Sequence, residues 1–224
     1  MIIGRGLMAR SFSSYENNNE YLIFASGVSN SKEERDDEYQ REIDLLCSRE
    51  ENMKLIYFST INIDDDDRKY FQHKRKIESI IANRFDSYLI FRLPQIIGIG
   101  GNENNIFNFL YKSIKDYTLI KVQKDVYRSL IDVDDIKQIC EYCFALSNII
   151  INISSIESLM VIDIINLISK EIGITPNIEY IETTISKLNI NSDIVEDAIN
   201  SIGINRIGYI EKIIKKYDKC IRGK

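Results

Sequence analysis

The chain has 224 residues, 44% of them hydrophobic and 28% charged, with a net charge of −5 and a single histidine. This length and composition suit one large globular domain or a domain with a small appendage. The negative charge argues against a dedicated nucleic-acid binder, and no apolar run approaches the ~20 residues that span a membrane. Met1-Ile2-Ile3-Gly4-Arg5-Gly6 lacks the basic region and long apolar segment of a signal peptide, so a cytoplasmic location is the expectation. The four cysteines are irregularly placed and do not suggest a disulfide framework. Cys140 and Cys143 form a lone C-x-x-C in helix-compatible sequence, read as buried small side chains rather than a zinc or redox pair.

Met1-Ile2-Ile3 reads as a short strand entering the turn Gly4-Arg5-Gly6-Leu7-Met8-Ala9, with helix-compatible residues to about Tyr15. Tyr21–Ala25 is a second strand, ending in Ser26-Gly27-Val28-Ser29. A charged helix is expected over 32–51, with Tyr39, Ile43, Leu46 and Cys47 on its inner side. Leu55–Phe58 is a continuous apolar strand of the kind buried on both faces. The acidic run Asp64–Asp67 opens the next helix, as a solvated cap or, on the sharper reading, a metal site. That helix runs to about Asn83, and Ser87–Arg92 is a strand broken by Leu93-Pro94-Gln95. Gly98, Gly100 and Gly101 form a flexible loop, Asn104–Ile114 a helix and Thr118–Val122 a short strand. A helix follows Asp134-Asp135 as far as Leu146, then a strand at 149–153 and a helix over 156–172. After Pro176 come a strand, two small helical segments and a basic tail from Lys212 to Lys224. Strands alternating with helices indicate an α/β fold with a doubly wound, mainly parallel sheet.

Tyr70 and Lys74 are four apart on one helix and share a face. A phenol titrates near ~10, and an adjacent ammonium stabilises its phenolate. With a hydroxyl from Thr60, three groups could move a proton on or off a substrate oxygen, which is the chemistry of carbonyl–alcohol interconversion. Ligands in doubly wound folds sit outside the C-terminal ends of the strands. Gly4 to Ala9, Ala25 to Ser31, Ser59-Thr60 and Arg92-Leu93-Pro94 all fall there.

In this order the segments resemble the short-chain dehydrogenase/reductase superfamily, in its extended, sugar-nucleotide epimerase/dehydratase branch, near the dTDP-4-dehydrorhamnose reductase group. The resemblance runs through Ile23–Ser29, Tyr57–Thr60, Tyr70-x-x-x-Lys74, Phe91–Gly98 and Arg128–Asp135, and covers about residues 1–145. It implies a Rossmann-like dinucleotide-binding domain over 1–153, with 95–130 contributing to a substrate lobe. Residues 154–224 would supply the last core helix and a small C-terminal substrate lobe. It also implies Tyr70 as general acid/base, Thr60 on the reacting oxygen, and Lys74 on the nicotinamide ribose, depressing the tyrosine pKa. Gly4, Arg5, Gly6 and Ala9 would meet the pyrophosphate of NAD or NADP, Ala25, Ser26 and Gly27 its ribose, and Leu93 and Pro94 would flank the nicotinamide. Arg128 would pair with the diphosphate of a nucleotide-sugar substrate, where a bidentate guanidinium suits two phosphate oxygens. A homodimer through the helices at 32–51 and 70–83 is a further implication.

Only residues 10–20 separate Ala9 from Tyr21, so a strand, a helix and a further strand of that family have no counterpart. With them goes the acidic residue expected on the adenosine ribose; Arg5 or Arg10 could instead meet a 2′-phosphate. The implied activity is an NAD(P)-dependent reductase or epimerase of a nucleotide-linked sugar in surface polysaccharide biosynthesis. The alternative is a non-catalytic relative that binds a sugar nucleotide or a partner subunit without productive dinucleotide binding.

Overall fold

The computed structural model describes residues 1–49, 52–61, 63, 68–101, 105–182 and 191–223. The expected acidic cap at 64–67 lies outside these residues. The central sheet has five strands, β1 (Ile2–Ile3), β2 (Tyr21–Phe24), β3 (Lys54–Thr60), β4 (Tyr88–Leu93) and β8 (Ile149–Asn152), in the order β1-β2-β3-β4-β8 with every pairing parallel. The expected doubly wound α/β architecture is observed, with fewer strands than the usual form.

Period-two alternation of the strands sorts side chains between two layers. Leu22, Phe24, Leu55, Tyr57 and Ile90 pack on α2 (Asp36–Cys47) and α3 (Lys69–Arg84). Ile23, Ile56, Leu89, Phe91 and Ile151 face the other way. There they join Phe12, beside α1 (Leu7–Ser11), and Ile136, Ile139 and Cys140 of α5 (Val133–Tyr142). The same buried cluster continues into α6 (Val161–Ile172), α7 (Asp193–Ile202) and α8 (Tyr209–Arg222).

The chain steps across the sheet in one direction only, yet α1 lies on one face while α2 and α3 lie on the other. Crossovers in the same direction on opposite faces have opposite hands. The β4–α5–β8 connection runs on the same face as α1, so these two links share a hand opposite to that of the two through α2 and α3. The arrangement creates a crevice, because the chain leaves β1 toward one face and β2 toward the other. Such a parting at the carboxyl ends of adjacent strands is where α/β sheets bind ligands. The chain also leaves β3 and β4 toward opposite faces, extending the same rim.

Several expected boundaries shift. The charged helix spans Asp36–Cys47 rather than 32–51. Before it, Glu33 accepts from the Arg35 side chain and the Glu34 and Arg35 amides, which competes with helix. Pro94 interrupts β4 because it has no N–H to give the ladder. The chain resumes as β5 (Gln95–Ile97), which pairs with an unanticipated strand, β7 (Tyr127–Asp132). The helix expected from Ile156 starts at Val161, because β9 (Ser158–Met160) pairs with β7 first. Among the described residues the helix expected from Asn104 is α4 (Ile106–Lys115), capped by the Asn105 side chain on the Asn108 amide. β6 (Ile120–Gln123) pairs with β10 (Ile178–Ile181) beside the main sheet. The basic tail is not solvated throughout. It is the amphipathic α8, which buries Tyr209, Ile210, Ile213, Ile214 and Tyr217 and leaves its lysines on the other side.

Candidate active site

Gly4 closes the crevice at its base. Its φ is +126°, and a Cβ there would lie 2.4 Å from the Ala25 carbonyl oxygen, so only glycine lets the ends of β1 and β2 approach this closely. Gly6 and Arg5 are exposed at the start of α1, and a Cβ on Gly6 would meet nothing. Ala9 is buried, so of the implied pyrophosphate residues it supports the turn rather than lining it. The loop with Gly98 and Gly100 is tied down rather than free. Arg10 donates to the carbonyls of Arg5, Ile99 and Gly100, and Leu7 lies against Gly98. Leu93 is buried at the end of β4, with Pro94 half-buried beside it.

On the α3 side the helix periodicity does what the sequence suggests, and Tyr70 and Lys74 share a buried face. The Lys74 ammonium is 5.8 Å from the centre of the Tyr70 ring. Tyr70, 7% exposed, packs with Val28, Tyr39 and Phe71. Its hydroxyl has no hydrogen-bond partner among the described residues. Lys74 is 2% exposed and donates to the Tyr57 hydroxyl at 2.8 Å and to Glu42 Oε1 at 3.2 Å. Tyr57 in turn donates to Glu42 Oε1 at 2.6 Å. The other carboxylate oxygen accepts from the Val28 amide at 2.7 Å and lies 2.9 Å from His73 Nε2.

Burial alone would raise the Glu42 pKa, but Lys74, His73, Tyr57 and the Val28 amide overcome it and hold the carboxyl at about 2, from an ordinary 4.5. Burial and the neighbouring Glu42 charge push the Tyr57 phenol well up. Glu42, Tyr57 and His73 escape a motif-based reading, although an acidic residue on the buried stripe between Tyr39 and Leu46 was a visible signal.

Thr60 stands at the end of β3, and its hydroxyl donates to the Ile61 carbonyl rather than to Tyr70 or Lys74. It follows Phe58 in the strand alternation, whereas Tyr57 and Ser59 share the α3 side. The buried Ser59 hydroxyl has no partner among the described residues. Arg128 is half-buried on β7, with its pKa lowered by burial, and donates to the Tyr127 carbonyl. Asp134 and Asp135 serve the docking of α8. Asp132 caps α5, Lys216 pairs with Asp132 and Asp134, and Tyr209 donates to Asp135. Cys140 and Cys143 are core residues with thiol pKa values pushed up by burial, that of Cys143 to about 11.

The exposed Gly6 turn and the Ala25–Gly27 turn offer backbone to a diphosphate and a ribose. Of the three N–H groups of Lys74, two are engaged, which leaves one for a ligand. Among the described residues β1 is the outermost strand, and none beyond it walls that side of the crevice.

No protein-family model matches the sequence, and no curated protein does. Solved structures match over nearly the whole chain. RMD from Pseudomonas aeruginosa, complexed with NADPH, aligns with a TM-score of 0.66 at 14% identity, covering 95% of this chain and 86% of its own. UDP-N-acetylglucosamine 4-epimerase from Methanobrevibacter ruminantium M1 aligns at 0.67 and 14%, covering 100% and 84%. UDP-glucuronic acid 4-epimerase from Bacillus cereus, in complex with UDP-glucuronic acid and NAD, aligns at 0.63 and 14%, covering 90% and 78%. At these identities the likeness is one of fold, shared over nearly the whole of this chain.

Proposed function

We propose that the chain is an NAD(P)-dependent reductase or epimerase of a nucleotide-linked sugar, in which Tyr70 moves the proton at the reacting oxygen. The observation that carries this reading is the pairing of Tyr70 with Lys74 on one buried face, at the crevice where strand ends of this fold part. Bound NAD or NADP would supply hydride transfer at a ring carbon. Gly4, Arg5, Gly6 and the turn of Ala25, Ser26 and Gly27 would receive its phosphates and ribose, with Leu93 and Pro94 beside the nicotinamide. Lys74 would hold the ribose; Thr60, on the opposite side of β3 from Tyr57 and the α3 face, is not part of this reading. Arg128 would take the substrate diphosphate, its burial strengthening a charge-assisted contact. The setting is cytoplasmic synthesis of surface polysaccharide, by a homodimer joined through α2 and α3.

Calorimetric titration with NADH and NADPH, followed by turnover of UDP- and dTDP-linked 4-keto sugars, tests the reading. Tyr70→Phe is expected to keep the fold and dinucleotide binding and to lose at least ~100-fold in turnover, the low end for general acid–base catalysis. Equal turnover in the mutant would refute the role. A second reading, a non-catalytic binder of sugar nucleotides, is favoured by the outermost position of β1, which leaves the adenosine side open. Tight binding of either dinucleotide would count against it.

A further inference from the structure

The Glu42 carboxylate is completely buried, yet it interrupts the apolar stripe of α2. Buried ion pairs can often be replaced by apolar side chains without loss of stability. A lysine and a glutamate kept in the interior therefore call for an explanation beyond folding. Their position supplies one. A Cβ on Gly27 would stand 2.9 Å from both Glu42 Oε1 and Lys74 Nζ, so the pair lies directly against the backbone of the turn after β2. That turn forms one wall of the crevice. The carboxylate also binds the turn itself, through the Val28 amide.

We propose that Glu42 is a positioning residue that acts through Lys74. It holds the ammonium in one place under the Ala25–Gly27 turn, so that the remaining N–H meets the ribose hydroxyls of a bound dinucleotide. Lysine needs such a tether, because its ammonium is a point charge on a flexible four-carbon stem. Tyr57 completes the tether by accepting from Lys74 while donating to Glu42. Gly27 is then required by the pair beneath it, since any side chain there would displace the charges. The inference rests on the dinucleotide-dependent function proposed above.

The same helix contains a matched control. Glu78, one turn beyond Lys74, makes a bidentate buried ion pair with Arg92 of β4. Glu78→Gln breaks a buried pair while removing no hydrogen bond of the tether.

The experiment is titration of wild type, Glu42→Gln, Tyr57→Phe and Glu78→Gln with NADH and with NADPH by nicotinamide fluorescence, well below each unfolding temperature. Lysine side-chain ¹H–¹⁵N spectra are recorded alongside, with Lys74→Met assigning the Lys74 ammonium. Glu42→Gln is expected to raise the Kd at least tenfold and to abolish the slowly exchanging Lys74 signal. Tyr57→Phe, which keeps its ring, is the second variant should Glu42→Gln fail to fold, with a several-fold rise expected. Glu78→Gln is expected to stay within twofold of wild type and to retain the signal. Wild-type affinity in both tether variants, or equal weakening in Glu78→Gln, would overturn the inference while leaving the proposed function standing. Failure of the wild type to bind either dinucleotide would overturn the function and the inference together.

Discussion

Lys74→Met removes the charge that keeps Glu42 ionised and preserves most of the side-chain volume. In the folded protein the Glu42 pKa falls from 4.5 to about 2. Each pKa unit corresponds to ~1.4 kcal/mol, so the network favours the carboxylate by ~3 kcal/mol. Removing Lys74 strands a fully buried carboxylate, for which ~3–5 kcal/mol is the expected loss, a large part of the ~5–15 kcal/mol stability of an ordinary domain. The double variant Lys74→Met/Glu42→Gln removes both charges. It should cost at least ~2 kcal/mol less than the sum of the singles, within the range of coupling seen for contacting residues.

The pH dependence has a definite sign. A depressed carboxylate pKa adds stability above the unfolded value, and that stability is lost as pH falls from 4.5 toward about 2. The gap between wild type and Lys74→Met should therefore narrow across this window. Urea unfolding at pH 7 and through the acid range measures both effects. Additive single variants, or a Lys74→Met cost below ~1 kcal/mol, would refute the ion-pair reasoning, since such a pair would then be a well-solvated one.

Gly4→Ala places a Cβ 2.4 Å from the Ala25 carbonyl at a φ of +126°. Strain and overlap together should cost ~2–5 kcal/mol, read as a fall in Tm; an unchanged Tm would show that the two strand ends are not held in contact. Arg10→Ala removes three contacts to backbone carbonyls. It should lower stability by only ~1 kcal/mol while increasing amide exchange at 98–101, and unaltered exchange there would reject the clip. Cys140 and Cys143 are buried, whereas Cys47 and Cys220 are half-buried. Ellman's reagent should leave the first two unmodified in the native state and react with them on unfolding; rapid native labelling of either would contradict the packing.

Periodicity carried the reading of the fold a long way. The apolar run from Leu55 packs on both faces, with Leu55 and Tyr57 on one side and Ile56 and the half-buried Phe58 on the other, and Tyr70 and Lys74 share a face because residues four apart on a helix have no choice. Short elements escaped for a physical reason. β5, β7 and β9 are strands because they pair with one another, not because any one has a strong propensity of its own. The lysines of α8 drew attention as a charge run, while Ile210, Ile213, Ile214 and Tyr217 supplied the face that docks.

The sequence by itself determined the layered α/β class and the helix bearing Tyr70 and Lys74, since each depends on neighbours within a few residues. Tertiary structure alone decided which partners Lys74 would have. Glu42, Tyr57 and Lys74 come from three elements, and only the packing of α2 and α3 over one face of the sheet encloses them away from water. Charges that share a dry interior must pair, and no local pattern specifies which ones will.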